Sequence, residues 1–159
     1  MSKCCSIDPE KKISSNLENC PTCQKKGKKV GLITVFQLVK HPFQKEINRK
    51  SQYYFCKEKD CEVVYFSSEI NDFLFKKEHL LVKVGQKENT PRHVCYCFDY
   101  TDQDILEEIQ KTGKSTATQI ITQNIKEGLC ACEVRNPQGS CCLGNVKEAE
   151  KWATEKYKK

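Results

Sequence analysis

The stretch Tyr53-Tyr-Phe-Cys-Lys-Glu-Lys-Asp-Cys-Glu-Val-Val-Tyr-Phe66 sets two cysteines in a short turn between two predicted strands. Upstream, two residues separate the cysteines of Cys20-Pro-Thr-Cys23, so a tight turn can bring both sulfurs to one ion. The wider pair Cys56 and Cys61 still fits such a turn. Together these four sulfurs predict a tetrahedral structural zinc site. Four free buried cysteines and a mononuclear iron site stay open as alternatives, because spacing alone does not separate them from zinc.

The chain holds twelve cysteines in 159 residues, in short groups that suit metal binding better than disulfide bonds. The first residues, MSKCCSIDPEKK, contain no apolar segment of a secretory signal. No later apolar run is long enough to cross a bilayer, so we expect no membrane insertion. We therefore expect a cytoplasmic protein whose thiols are either reduced or bound to soft metals.

The composition predicts an α+β protein made of two small metal-stabilised domains, because only 38% of the residues are hydrophobic and 30% are charged. We expect a flexible tail with a cysteine pair over residues 1–16 and a β-rich zinc-binding domain over 17–88. A helical domain that ends in a C-terminal helix is expected over 89–159. In the β-rich domain, apolar and β-branched runs predict strands over residues 30–39, 52–56, 63–66 and 80–84, followed by a linker over 85–91.

Helix signals dominate the last third of the chain. Thr101 begins a capping box, and the apolar residues that follow it recur at helical spacing up to Gly113. Ser115 can cap a second helix, which Gly128 would end. Asn145 can cap a last helix. The sequence thus predicts a helical hairpin and a C-terminal helix around the remaining cysteines.

The second group of cysteines flanks this predicted hairpin. Cys95-Tyr-Cys97 precedes it, and Cys130-Ala-Cys132 and the doublet Cys141-Cys142 follow it. A C-x-C pair with further cysteines beyond a hairpin suits an iron–sulfur cluster held by four thiolates. The pattern leaves two choices at each of the last two groups. His93 lies two residues before Cys95 and is a candidate hydrogen-bond partner beside such a cluster.

The strings VCYC and CEVRNPQGSCCLGNV resemble the bacterioferritin-associated-ferredoxin-like cluster-binding module. The order of all motifs over residues 18–145, including CPTC and CEVVYF, resembles the CopZ-type copper chaperones with an iron–sulfur and zinc N-terminal region. This resemblance implies one zinc ion and one 2Fe–2S cluster. It places the zinc on Cys20, Cys23, Cys56 and Cys61, the cluster on Cys95, Cys97, Cys132 and Cys142, and leaves Cys130 and Cys141 as candidate accessory thiols.

One difference from this family concerns copper. Related chaperones can carry a C-terminal heavy-metal-associated domain with an M-x-C-x-x-C loop, which we expect to be lacking here. The chain has instead the adjacent thiols Cys4 and Cys5 near its start. Adjacent thiols can bind a thiophilic ion, so this pair is a candidate site for Cu(I) or another soft metal. Two incidental thiols are the alternative.

The motifs favour a protein that is not an enzyme, since the sequence has no nucleotide-binding glycine loop, H-E-x-x-H motif or convincing Cys/His nucleophile pair. We expect a metallochaperone-like protein that handles copper or another soft metal, with one-electron transfer by the 2Fe–2S cluster. A metal-transporting ATPase or a redox protein is the expected protein partner. A ferredoxin-like electron carrier without metal delivery is the alternative.

A zinc-ribbon nucleic-acid module is a second alternative, supported by the basic turn of residues 25–29 and the formal net charge of +6. A zinc ion and an oxidised 2Fe–2S cluster, each bound by four thiolates, carry about −2 apiece and would lower the net charge to roughly +2. Much of the lysine excess would then balance the metal centres. Nucleic acid is therefore the least favoured partner.

Overall fold

A computed structural model describes residues 18–69 and 71–158 and divides the chain into two compact units, Met1–Leu81 and Val82–Lys159. The described residues combine a small β-rich region with helices further along the chain, so the predicted α+β class is confirmed. The expected tail of residues 1–16 lies outside the described residues.

The first unit contains a four-stranded antiparallel sheet of β1 (Lys28–Val30), β2 (Tyr53–Phe55), β3 (Val63–Ser67) and β4 (Phe75–Lys76). Its strands follow in the order β1-β2-β3-β4. Every residue of β2 and β3 is buried, so the two central strands are covered on both faces. The turn that joins them carries one cysteine pair.

The predicted strand over residues 30–39 is wrong, because this segment forms helix α1 (Leu32–Leu38). The buried residues of α1 are Thr34, Val35 and Leu38, a spacing that places them on one side of a helix. Burial at helical spacing here outweighs the preference of the β-branched residues for strands. A 3-10 helix, His41–Glu46, follows α1 and leads towards β2.

Residues 80–91 also differ from the predicted strand and linker. Leu80 forms an isolated bridge with Val39 instead of a strand, and the 3-10 helix Lys77–His79 precedes it. The supposed linker contains a third 3-10 helix, Gly85–Lys87, in which Gly85 and Lys87 are buried. The unit boundary between Leu81 and Val82 therefore lies upstream of the predicted one at residue 88. The reason is that residues 83–86 pack within the second unit.

The strands of the second unit form a two-stranded antiparallel pair, β5 (His93–Cys95) and β6 (Tyr100–Thr101). Helices α2 (Asp102–Thr112), α3 (Ala117–Lys126), the short α4 (Cys132–Arg135) and α5 (Leu143–Lys158) follow. The apolar faces of α2, α3 and α5 form one core with β5. Two of the cysteines, Cys95 and Cys142, belong to this core.

The start of α2 agrees with the sequence prediction. The Thr101 hydroxyl accepts the Asp104 N–H at 3.0 Å, and the Asp104 carboxylate accepts the Thr101 N–H at 2.9 Å. Gly113 ends the helix with a positive φ of 87°, the left-handed conformation that favours glycine. The predicted capping box and glycine stop of this helix are therefore both present.

The start of α3 is held by carboxylates from other helices. Glu108 of α2 accepts hydrogen bonds from the N–H of Thr116 at 2.9 Å and from its hydroxyl at 2.5 Å. Glu150 of α5 accepts hydrogen bonds from the hydroxyls of Ser115 and Thr118. Negative charge at the N-terminus of a helix is favourable. These contacts fix the hairpin that separates Cys97 from Cys132.

Candidate metal centres

The sulfurs of Cys20, Cys23, Cys56 and Cys61 all lie within 4.8 Å of one another, and three of these residues are buried. The sulfurs of Cys20 and Cys61 are 3.8 Å apart, and those of Cys23 and Cys56 are 3.6 Å apart. In a tetrahedral site with zinc–sulfur bonds of about 2.3 Å, neighbouring sulfurs are about 3.8 Å apart. The four thiols are therefore already at the spacing that a zinc ion requires.

Backbone N–H groups face the sulfurs of Cys20 and Cys23, which lie in one tight turn. Burial raises the pKa of the Cys20 thiol, although the N–H groups of Thr22 and Cys23 act in the opposite direction. Burial also raises the pKa of Cys23, but hydrogen bonds from the Lys25 N–H and the neighbouring thiols outweigh it and leave this pKa below its ordinary value. N–H groups that point at sulfur stabilise the thiolate form, which is the form that binds metal.

The segment that follows the Cys20–Cys23 turn packs closely against the sheet. A Cβ atom at Gly27 would lie 2.5 Å from the Phe66 ring and 2.9 Å from the Tyr54 Cβ, so a side chain does not fit there without a shift. The rings of Tyr54 and Phe66 are stacked at 5.5 Å. The same two residues belong to the small core around Cys20, Cys56 and Cys61. The sheet thus sets the position of both cysteine pairs.

The second set of cysteines comes from three separate segments. The sulfurs of Cys97 and Cys132 are 3.6 Å apart. The side chain of Cys142 also interacts with those of Cys95 and Cys132. Within the described part of the chain, only the first set has three or more metal-binding groups all within 4.8 Å. The second set is joined pair by pair, Cys97 with Cys132 and Cys142 with both Cys95 and Cys132.

Burial differs between the neighbouring thiols for which the sequence left two choices. Cys95 and Cys142 are buried, at 0% and 2% exposure, and Cys132 is half-buried. Cys130 and Cys141, by contrast, are exposed. In each neighbouring pair, one thiol therefore joins the four-sulfur group and the other lies at the surface.

The environment of the second set favours thiolates at two positions. A hydrogen bond from the Cys142 thiol lowers the pKa of Cys95 to about 7 and that of Cys132 to about 6. The donor role correspondingly raises the pKa of Cys142 itself. Burial raises the pKa of Cys97 to about 11, although its sulfur accepts the Ala131 N–H at 3.1 Å. The site thus combines acidic thiols with backbone donors directed at sulfur.

His93 and His79 make hydrogen bonds and ring contacts with neighbouring side chains. His93 Nε2 lies 2.7 Å from the Asp99 carboxylate, and the His93 ring stacks on Tyr96, beside the second set of cysteines. In the first unit, His79 packs between the rings of Phe43 and Phe73. None of these histidines joins a metal-binding group within the part of the chain that the structure describes.

Sequence reasoning missed the buried amides next to the second set of cysteines. Asn136 and Gln138 are 1% and 8% exposed, and both lie in the loop before Cys142. Both residues belong to the string NPQGS, but the sequence of a polar loop does not indicate that its side chains are buried.

The candidate copper ligands Cys4 and Cys5 lie outside the described residues. Among the described residues, no helix is both long enough and apolar enough to span a membrane.

Comparison with known proteins agrees with the first unit's geometry. Residues 17–80 match the family zf_CopZ, which is described as a zinc binding domain. The copper chaperone CopZ of Archaeoglobus fulgidus is 38% identical over 124 residues, which are 77% of this chain and 57% of that protein. The chain therefore spans little more than half the length of this curated relative.

A solved structure extends the likeness into the second unit. The X-ray structure of the Archaeoglobus fulgidus CopZ N-terminal domain is similar with a TM-score of 0.68 at 35% identity. The match covers 82% of this chain and 95% of that domain. At this identity and coverage, the expected resemblance to CopZ-type proteins is confirmed, and the chain belongs to the CopZ family.

Proposed function

We propose that this protein is a metallochaperone-like protein that handles copper or another soft metal and carries out one-electron transfer. In this proposal, Cys20, Cys23, Cys56 and Cys61 bind a structural zinc ion. A 2Fe–2S cluster is bound by Cys95, Cys97, Cys132 and Cys142. The role in copper handling is supported by the similarity to the copper chaperone CopZ of Archaeoglobus fulgidus.

The second group of four thiols is the observation that carries this proposal. Its members come from β5 and the loop after it, from the start of α4, and from the residue before α5, yet their sulfurs are linked into one group. Two pKa values near or below neutrality indicate thiols that lose their protons readily when a metal binds. Thiolate-only donor sets of this kind fit iron–sulfur clusters.

The residues of the chain hold and shield this site. When bound, the cluster would supply one-electron transfer, which is the chemistry needed to convert Cu(II) into the Cu(I) that thiolates prefer. Cys95 and Cys142 would hold the cluster from the core side, since both are buried away from water. Cys97 and Cys132 are only half-buried and lie towards solvent. The Ala131 N–H, directed at the Cys97 sulfur, stabilises negative charge there.

The zinc site in this proposal has a structural role. All four of its positions are filled by cysteine sulfur, so no position is open for water or substrate. The site also joins the two turns that the sheet brings together. Electron transfer therefore belongs to the second unit alone.

Metal analysis of protein purified without oxygen tests both centres. We expect about two irons, two acid-labile sulfides and one zinc per chain, because the two four-cysteine sets are separate. The protein should be red-brown, and reduction should give an S = 1/2 signal in electron paramagnetic resonance (EPR). A colourless protein without iron after cluster reconstitution would contradict the cluster, while a zinc-free first unit would contradict the zinc site.

Copper titration separates a metallochaperone from an electron carrier. We expect the protein, with zinc and cluster already bound, to bind Cu(I) through Cys4 and Cys5, because adjacent thiols suit this soft ion. The comparison is the Cu(I) affinity of the intact protein with that of the Cys4→Ser/Cys5→Ser variant. Equal affinities would assign copper to other thiols, such as Cys130 and Cys141. Absence of tight Cu(I) binding would favour the ferredoxin-like carrier.

A further inference from the structure

The side chain of Gln138 organises the loop before Cys142. Its amide Nε2 donates to the carbonyl oxygens of Cys141 at 3.1 Å and Ser140 at 3.4 Å. The backbone N–H of Gln138 donates to the side-chain oxygen of Asn136 at 3.1 Å, and the side-chain amide of Asn136 donates to the Ser140 carbonyl at 3.0 Å. Two buried amides therefore hold the backbone that leads directly into one candidate cluster ligand.

Gln86 reaches this loop from a distant part of the sequence. Its Nε2 donates to the side-chain oxygen of Gln138 at 2.7 Å, and Asn145 donates to the same oxygen at 3.2 Å. Gln138 thereby has both ends of its amide satisfied, which fixes its orientation. Without Gln86, this oxygen would keep only the longer hydrogen bond from Asn145, so the orientation of the Gln138 side chain would be less firmly fixed.

The segment that carries Gln86 also contacts the first cluster loop. We call residues 83–86 the bridging segment. The Tyr96 hydroxyl, between the two cysteines of the C-x-C pair, donates to the Lys83 carbonyl at 2.6 Å and accepts the Gly85 N–H at 2.8 Å. The bridging segment is thus bonded to the middle of the Cys95–Cys97 loop.

Close packing holds the bridging segment against β5. A Cβ atom at Gly85 would lie 1.9 Å from the His93 carbonyl oxygen, so no side chain can be placed there. This backbone approach needs glycine. The segment therefore has a fixed place from which its two ends reach the two loops.

We propose that the bridging segment sets the distance between the two cysteine-bearing loops, residues 95–97 and 136–142, and that Gln86 is a positioning residue for the cluster. Tyr96 connects the segment to the first loop, and Gln138 connects it to the second. This inference rests on the proposed cluster site. Groups that orient metal ligands from outside typically change metal affinity by about 10–100-fold when they are removed.

Replacement of Gln86 by methionine tests this role, since methionine keeps the length of the side chain and removes the hydrogen bond. We expect the Gln86→Met protein, with its cluster bound, to lose iron to a chelator about 10-fold faster than wild type. We also expect shifted g-values in the EPR signal of the reduced protein. The control is Gln103→Met, which removes a hydrogen bond to Glu107 within α2. It should retain the wild-type rate and signal.

A purely structural role predicts a different result. It would lower the melting temperature of Gln86→Met and leave the g-values of the bound cluster unchanged. Either an unchanged signal or an iron-release rate within about twofold of wild type would overturn the proposal. If Gln86→Met does not fold, Tyr96→Phe carries the same test at the other end of the segment. A wild-type protein that takes up no iron and sulfide would refute the proposed function itself, whereas normal uptake with an unaffected Gln86→Met refutes only the bridging role.

Discussion

Cys23→Ser should unfold the first unit and leave the second unit folded. Structural zinc sites contribute roughly 10–16 kcal/mol in zinc-finger peptides, whereas a whole domain is stable by only about 5–15 kcal/mol. We expect the site with only three sulfurs to release its zinc, and zinc release removes a contribution as large as the total stability. Amide hydrogen exchange measures the outcome. Protection should be lost in β2 and β3 and retained in α2 and α5.

The matched control for this variant is Cys130→Ser, which changes the same atom at an exposed site. It should leave exchange protection in both units as in wild type. Removal of zinc from the wild-type protein with a chelator should reproduce the effect of Cys23→Ser on the first unit. Unchanged protection in β2 and β3 of the Cys23→Ser protein would show that these four thiols do not hold a structural metal.

Cys132→Ala and Cys142→Ala should each abolish cluster binding, while Cys130→Ala and Cys141→Ala should retain the cluster with at most a shifted potential. Cys142 is 2% exposed, and its side chain interacts with those of both Cys95 and Cys132. Cys130 and Cys141 are exposed instead. Iron and sulfide content with the EPR signal of each reduced variant measures the outcome.

A neighbouring thiol could replace a lost ligand, so double variants are needed. The Cys130→Ala/Cys132→Ala and Cys141→Ala/Cys142→Ala proteins show what loss without any replacement looks like. If a single variant has the same iron content and EPR signal as its double variant, the neighbouring thiol does not replace the lost ligand. A wild-type spectrum in Cys132→Ala together with cluster loss in Cys130→Ala would show that the ligand at this position is the exposed thiol.

Local signals predicted the parts of the fold that depend on neighbouring residues. The strands Tyr53–Phe55 and Val63–Ser67 and the capped start of α2 follow from apolar runs and a capping box, which act over a few residues. Residues 32–38 form a helix because of what they pack against, and a β-branched run cannot reveal that.

The candidate sites show the same division. Cysteine spacing indicated the four thiols whose sulfurs the structure brings within 4.8 Å of one another in the first unit. The amide of Gln86 meets Gln138 across 52 residues of sequence, and no short motif connects them. The polar composition of residues 85–91 predicts a linker, yet burial of Gly85 and Lys87 depends on partners elsewhere in the unit. Long-range polar contacts are therefore what the sequence alone left unseen.

The order of the cysteines along the chain has a consequence for biogenesis. All ligands of the candidate zinc site lie between residues 20 and 61, and those of the candidate cluster site lie between 95 and 142, so the two sets do not interleave. During synthesis, the first set leaves the ribosome complete before the second begins to emerge. We therefore expect a cell starved of iron to produce chains whose first unit is folded and loaded, and which await only the iron–sulfur assembly machinery.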